Sequence, residues 1–329
     1  MLGEQFSQES HQLPGLLARR DANNTRAVSW QNGFLDDCLG GIYPDDLIVV
    51  GAATGVGKTA LAVSLAFSAA VAGVDPVYLF ALEAEVGEVS ARVAFSEIAK
   101  RTNRPMDFAG WWRGRYPEVD SQHWEDVERV LSLPLGRVRT LYKKAGDFTV
   151  RNLQQQLEAI AHDAKLVIVD HLHVVDAEGV NPNTVQYRTI RLLRDFTLTR
   201  GIPVVALSHL RKRQATERGL VMPDIDDLHG TSELSKVATG VVLVARDWEG
   251  EAPARYLSPT FLQVTKDRRG RASPYVARCF YNGRLGAYES GYELGRIGWV
   301  ERKQTWQLTQ YPPEWSRTRS NNTTQEQPF

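Results

Sequence analysis

The chain has 329 residues, 43% of them apolar, which supplies a sizeable core and allows one large domain or two small ones. Its 39 basic and 39 acidic side chains cancel, so overall charge points to no polyanionic partner, and any nucleic-acid surface must come from local clustering. Two distant cysteines, Cys38 and Cys279, argue against a disulfide framework or a cysteine metal cluster; with no apolar signal core and no membrane-length apolar run, a soluble cytoplasmic protein without a membrane partner is expected.

Residues 1–28 are polar and read as an arm or linker, in which Leu13 to Arg20 predict a short amphipathic helix. Trp30 to Tyr43 reads as the lead-in to the first core strand, with Gly40-Gly41 as a turn. Leu47 to Val50 is fully apolar and rich in β-branched residues, the mark of a buried parallel strand. Gly51 to Gly57 follow as a small-residue loop, and Leu61, Ala62, Leu65 and Ala66 then recur at helical spacing. A strand, a glycine-rich loop and a helix opening on Gly57-Lys58-Thr59 make a phosphate-binding loop.

The candidate cradle is Gly51, Ala52, Ala53, Thr54, Gly55, Val56, Gly57, Lys58, Thr59 and Ala60. Backbone N–H groups of such a loop point inward at a polyphosphate, and the helix N-terminus adds its dipole. Lys58 is expected to reach the β- and γ-phosphates, and the Thr59 hydroxyl to ligate Mg²⁺. The strict pattern places a glycine where Ala52 stands; glycines occur at Gly51 and Gly55 instead.

Val77 to Leu82 predicts a second buried strand, ending on Glu83, and a helix follows from about Val86 to Lys100. Residues 103–120 look irregular, with Trp111 and Trp112 as filler beneath a loop. A short strand at Val138 to Tyr142 lies between two helices, the second of which, Thr149 to Asp163, carries Leu153, Leu157 and Ile160 on one face. Leu166 to Val169 is the next strand, ending at Asp170; a loop at Gly179 to Thr184 and an arginine-bearing helix lead to the strand Ile202 to Leu207 and then Ser208-His209. Arg211 to Arg218 is a basic loop, Thr239 to Ala245 a strand, and Phe261–Thr265 and Tyr275–Tyr281 an antiparallel pair around a turn at Asp267 to Ala272. Residues 303–329, rich in Gln, Asn, Ser, Thr and Pro, predict a disordered tail.

Apolar strands alternating with helices imply an α/β fold with a mostly parallel, doubly wound sheet and ligand sites at the strands' carboxyl ends. Those ends present Glu83, Asp170 and His209. Nucleotide hydrolysis is mostly positioning plus charge stabilisation. Asp170 suits Mg²⁺ held through water, in the Walker B manner; Glu83 suits a general base on the attacking water; His209 suits a γ-phosphate sensor.

In this order the motifs GAATGVGKTALA, FALEAE, LVIVDHLHVV, VVALSHLRK, DLHGTSELSKVATGVVLVARD and TKDRRG…FYNGRLGAYE resemble the C-terminal ATPase domain of hexameric replicative helicases of the DnaB family. The resemblance covers roughly Trp30 to Glu289 and is closest to the phage and Twinkle-type branch, where histidine stands in the sensor position. It implies a RecA-like P-loop core over residues 29–302 with an antiparallel C-terminal hairpin. It further implies that Lys266 and Arg268 enter a neighbour's ATP site, with Arg269 and Arg271 beside them, and that Arg246 and Tyr281 sandwich the adenine. DNA contacts are implied for the loop after Asp176 and for Arg211, Lys212, Arg213, Arg218, Gly230, Thr231 and Ser232.

The expected activity is therefore an ATP- and Mg²⁺-dependent 5′–3′ DNA helicase. It would form a homohexamer on single-stranded or forked DNA and have a primase or helicase loader as further partner. As read, the sequence shows no primase domain, zinc motif or helical N-terminal domain ahead of the core. That favours the alternative class, a RecA/KaiC-like ATP-gated switch, loader or recombinase. The Lys266/Arg268 hairpin and the Ser208-His209 sensor favour the helicase.

Overall fold

A computed structural model describes residues 13–102, 106–143, 148–176, 180–210, 222–228, 233–246, 252, 254, 256–270, 275–285, 287–289, 291–300 and 305–310. The elements in chain order are α1 (Leu16–Thr25), α2 (Gly33–Leu39), β1 (Leu47–Ala52), α3 (Lys58–Val71), β2 (Val77–Ala81), α4 (Glu88–Arg101), α5 (Phe108–Trp112), α6 (Pro117–Gly136) and β3 (Val138–Tyr142). They continue with β4 (Phe148–Thr149), α7 (Val150–Ile160), β5 (Leu166–Asp170), β6 (Val175–Asp176), α8 (Pro182–Arg200), β7 (Val204–His209), α9 (Glu233–Val237) and β8 (Gly240–Arg246). The last are β9 (Leu257–Asp267), β10 (Val276–Asn282), β11 (Ala287–Tyr288), β12 (Glu293–Val300) and β13 (Thr305–Gln310).

The strands β3, β2, β5, β7, β1 and β8 lie side by side and all pair in parallel. Beyond β8 the sheet continues antiparallel through β9, β10, β12 and β13, with β11 beside β10. Helices cover both faces of the parallel part, which is why β1 and β5 are buried at every residue and read as unbroken apolar runs. Ile48 and Val50 face a cluster with Phe34, Leu61, Leu65, Phe95 and Leu131. Leu47 and Val49 face the opposite cluster, with Leu153, Leu157, Ile190 and Leu193. Helix α7 buries Leu153, Leu157 and Ile160, the face its spacing predicts, and a Thr149–Asn152 capping box starts it. Each fully buried leucine contributes about 2 kcal/mol of transfer free energy.

Several segments depart from the sequence expectation. Within the lead-in to β1, residues 33–39 are helical: Asn32 caps the Leu35 N–H and Gly40, at φ 71°, ends the helix. Within 103–120, α5 and the start of α6 replace the irregular segment. Trp111 packs on Phe95 and Phe108 and donates to Asp120 at 2.7 Å, whereas Trp112 stays 43% exposed. Helix α8 begins at Pro182, inside the expected loop, because Asn181 caps it and proline suits a first helical turn. The polar tail opens with β13, whose residues pair with β12 from Gly295↔Gln310 to Val300↔Thr305. A ladder is made by backbone groups, so polar composition alone does not exclude a strand. Residues 311–329 lie outside the described residues. Helix α1 forms, one turn later than expected, and buries no residue. Among the described residues no helix is long and apolar enough to cross a membrane.

Candidate functional site

The loop after β1 closes onto α3 through Gly57, which is at φ 104°. A side chain there would meet the Tyr288 hydroxyl at 3.0 Å, so both the backbone angle and the space call for glycine. The next residue, Lys58, is buried, and its Nζ donates to the carbonyls of Ala52 (2.8 Å) and Ala53 (3.1 Å). It also lies 3.0 Å from His209 Nδ1. Burial pulls the Lys58 ammonium below the ordinary lysine range, while Asp170 and Glu83 pull it back up.

Strand register brings the other groups here. Ala52 pairs with His209 and Ala81 with Asp170, so the ends of β1, β7, β2 and β5 form one ledge. Asp170 is 5% exposed. Burial pushes its carboxyl above the usual range, and a hydrogen bond with Thr59 opposes this. Its Oδ1 is buried with no hydrogen-bond partner among the described residues. Glu83, two residues past β2, is half-exposed and places Oε1 at 2.9 Å from His171 Nε2. His171 Nε2 in turn lies 2.7 Å from His209 Nε2, and His171 Nδ1 accepts from the His173 N–H at 3.2 Å. His209 Nδ1 also lies 3.4 Å from the Thr54 hydroxyl. Lys58, Thr59, Glu83, Asp170 and His209 therefore converge. His171 joins them without having been assigned a role from the sequence; the signal available was its place directly after Asp170 in Asp-His-Leu-His.

Beside the loop, Arg246 ends β8 with its guanidinium 5.3 Å from the Tyr281 ring. The Val56 carbonyl accepts from Arg246 Nη2 (3.4 Å) and from the Tyr288 hydroxyl (3.1 Å), and Tyr288 meets Tyr281 edge-on at 5.4 Å. Burial raises the Tyr281 phenol, with Arg92 and Arg246 opposing it. Tyr288 was not singled out from the sequence, because its partners lie on other strands.

Lys266 and Arg268 are not in this cluster. Strand β9 runs antiparallel to β8, and Gly240 pairs with Asp267, so the hairpin sits at the amino ends of the parallel strands. The seven residues of β8 separate the two ends by about 20 Å. Lys266 Nζ donates to the carbonyls of Ser235 (2.6 Å) and Lys236 (3.0 Å); burial lowers its ammonium, and Arg268 and Arg194 lower it further. Arg269 is engaged within its own chain. It bonds Asp46 at 2.8 and 3.1 Å and Asp45 at 3.0 Å, and lies 4.4 Å over the Tyr43 ring. Arg271 lies outside the described residues, as do Arg211, Lys212, Arg213, Arg218, Gly230, Thr231 and Ser232. The ends of the segment carrying most of them are pinned by a bridge between Leu210 and Leu228, at the same end of the sheet as the phosphate loop.

The model for the DnaB-like helicase C-terminal domain matches residues 29–288. The replicative DNA helicase DnaB of Haemophilus influenzae is 26% identical over 240 residues, covering 68% of this chain and 48% of that protein. The chain thus spans about half the length of the curated relatives it matches. Among solved structures, the ATPase domain of G40P superposes with a TM-score of 0.69 at 17% identity, covering 86% of this chain and 99% of that one. A DnaB-like replicative helicase, described with its interactions with primase, gives 0.66 at 17% identity over 87% of this chain and 67% of that one. These likenesses establish the RecA-like fold. With its phosphate loop, strand-end acids and 29–288 match, the chain belongs to the DnaB-like helicase C-terminal domain family.

Proposed function

We propose that the chain is an ATP-hydrolysing motor of the replicative DNA helicase type, working in the cytoplasm as a homohexameric ring on single-stranded DNA and opening forked duplex. The observation that supports this reading is the position of the Lys266 and Arg268 hairpin at the opposite end of the sheet from the phosphate loop. Lys266 and Arg268 are about 20 Å from the phosphate loop of their own chain, so they reach such a loop only on a neighbour. A head-to-tail contact of that kind closes into a ring when its rotation allows.

In the proposed site the backbone from Gly51 to Ala60 holds the polyphosphate and Lys58 leaves the Ala52 and Ala53 carbonyls for the β- and γ-phosphates. Thr59 and Asp170 suit Mg²⁺, because the buried Oδ1 of Asp170 has no hydrogen-bond partner among the described residues and Thr59 already bonds the same carboxyl. Bound there, Mg²⁺ would neutralise charge on the phosphate oxygens. Glu83 takes the proton of the attacking water, and His209 contacts the γ-phosphate. Arg246 and Tyr281 hold the adenine between a cation and a ring. Arg268 and Lys266 of the neighbouring subunit stabilise the developing charge. The basic segment with Arg211, Lys212, Arg213 and Arg218, together with Gly230, Thr231 and Ser232, contacts the DNA backbone. A histidine at the sensor position supports the phage and Twinkle-type branch, the family supports 5′–3′ movement, and a primase or helicase loader is the further protein partner proposed.

The test is steady-state ATP hydrolysis with and without single-stranded DNA at low and moderate salt, followed by unwinding of a forked duplex. Stimulation that fades with salt is expected. Hydrolysis indifferent to DNA would replace the motor by an ATP-gated switch, loader or recombinase. Lys58→Ala abolishes turnover in this reading. Mixing it with Arg268→Ala restores part of the activity at interfaces that join an intact loop to an intact finger. No rescue at any ratio argues against a finger acting between subunits.

A further inference from the structure

The phosphate loop is held from outside at one carbonyl. Tyr288 on β11 donates its hydroxyl to the Val56 carbonyl at 3.1 Å, and Arg246 Nη2 reaches the same oxygen at 3.4 Å. Burial pushes the Tyr288 phenol above its ordinary range, so it stays a hydrogen donor. A planar trans peptide points its C=O and its N–H in opposite directions. Holding the Val56 carbonyl toward Tyr288 therefore turns the Gly57 N–H away from Tyr288. The Gly57 carbonyl in turn accepts from the Leu61 N–H at 3.0 Å as α3 begins. Both peptides around Gly57 are thus fixed, and its N–H is among the first of the helix, the groups that meet an anion at a helix start. The lack of a side chain on Gly57 is what lets the phenol come this close.

Tyr288 is itself held from behind. Its cross-strand partner is Tyr281, and the two rings meet edge-on at 5.4 Å. The turn between them is knitted by Asn282, which is 7% exposed. Asn282 Oδ1 accepts from the Arg284 and Leu285 N–H groups at 3.0 and 3.2 Å, and its Nδ2 donates to Glu289 Oε1 at 2.6 Å. The Glu289 N–H returns to the Phe280 carbonyl at 2.9 Å. A strand of two residues has little pairing of its own, so these bonds set where Tyr288 stands.

We infer that Tyr288 is a positioning residue for phosphate binding: its hydroxyl sets the Val56–Gly57 peptide so that the Gly57 N–H faces the polyphosphate before any nucleotide arrives. Tyr281 takes the base from β10, and Tyr288 sets the loop from the strand beside it. Tyr288 acts through the loop and not on the ligand. The inference rests on the ATP-site reading above, and its test separates the two.

The test is titration calorimetry of the whole chain and of its Tyr288→Phe variant, with Mg²⁺ and two probes. One probe is a slowly hydrolysed ATP analogue; the other is inorganic tripolyphosphate, which has no base. The variant keeps the ring against Tyr281 and removes only the hydroxyl, so its melting temperature is expected within about 3 °C of wild type. Both probes are expected to bind the variant about fivefold more weakly, within the range that one neutral hydrogen bond spans. A role in packing alone moves neither. A loss for the analogue alone makes Tyr288 part of the base wall and overturns the inference, as does tripolyphosphate affinity within about twofold of wild type. A wild-type chain that binds the analogue but not tripolyphosphate also overturns it, because a loop set in advance holds phosphates without a base. Failure of the analogue to bind overturns the ATP-site reading and the inference with it.

Discussion

The buried carboxylate of Asp46 carries the sharpest stability prediction, because it ties the start of β1 to the hairpin that bears Arg268. Asp46 is 1% exposed, and among the described residues its carboxylate accepts from Thr239 Oγ1 (2.8 Å), the Tyr43 N–H (2.8 Å) and Arg269 Nη1 (2.8 and 3.1 Å). Asp46→Asn keeps the shape and replaces one acceptor by a donor. If the amide nitrogen faces Arg269, a charge-assisted hydrogen bond worth about 2 kcal/mol is lost. Thr239 retains the Leu47 carbonyl at 3.1 Å as its alternative acceptor. If it faces Tyr43, a backbone N–H is left without a partner, at a similar cost. Arg269 is 40% exposed and keeps Asp45, so solvent and that second pair soften the loss. The net expectation is a destabilisation of about 2 kcal/mol, read as a lower urea midpoint by tryptophan fluorescence at unchanged slope.

A second readout follows from position. The loosened hairpin should lower ATP turnover, while nucleotide affinity at the loop about 20 Å away stays within about twofold. A double-mutant cycle with Arg269→Ala should return a coupling of about 1–2 kcal/mol between the two sites. A destabilisation below about 0.5 kcal/mol, or additive effects in the cycle, would refute the reasoning.

Three further outcomes are expected. Gly57→Ala forces a Cβ onto φ 104° and to 3.0 Å from the Tyr288 hydroxyl; it should cost about 1–2 kcal/mol in thermal unfolding and weaken nucleotide binding in a calorimetric titration. Asp170→Asn should abolish hydrolysis yet stabilise the nucleotide-free fold by about 1 kcal/mol. A carboxyl whose folded pKa is raised by burial opposes folding when charged, so removing the charge raises the melting temperature. Arg246→Ala should raise KM for ATP by about tenfold with little change in kcat, since the guanidinium stacks on Tyr281 away from the reacting phosphate.

Much of the fold was legible because a parallel sheet covered on both faces writes itself as apolar runs. Leu47 to Val50, Val77 to Leu82, Leu166 to Val169 and Ile202 to Leu207 all became strands within two residues of the expected ends. What escaped was structure whose cause is not apolar periodicity. Helix α2 depends on an Asn32 cap and a left-handed Gly40 over only seven residues, too short for a 3.6-residue pattern to stand out. Strand β13 is held by a backbone ladder to β12 inside a stretch whose composition reads as solvated.

The site divides along the same line. Lys58, Thr59, Glu83, Asp170 and His209 could be named in advance because each sits at a strand end or loop whose position the sequence marks. His171 and Asp46 could not. His171 meets a residue 38 positions on, and Asp46 meets Arg269, 223 positions on. Beyond the place of His171 directly after Asp170, nothing local distinguishes the two from an ordinary histidine or aspartate. Their meaning comes from register: Ala52 opposite His209 sets one cluster, and Gly240 opposite Asp267 sets the other. The first register joins β1 to β7 and the second joins β8 to β9, and β1 pairs with both β7 and β8. Strand β1 thus begins beside Asp46, which anchors the hairpin bearing Lys266 and Arg268, and ends at the phosphate loop. A shift in one cluster has a strand of six residues through which to reach the other, and in the proposed head-to-tail ring the other cluster would serve the next subunit's site. The Asp46→Asn variant tests that link as well as the stability. If β1 carries the coupling, the variant should blunt the cooperativity of ATP hydrolysis along with its rate. Reduced turnover with unchanged cooperativity would confine Asp46 to holding the hairpin.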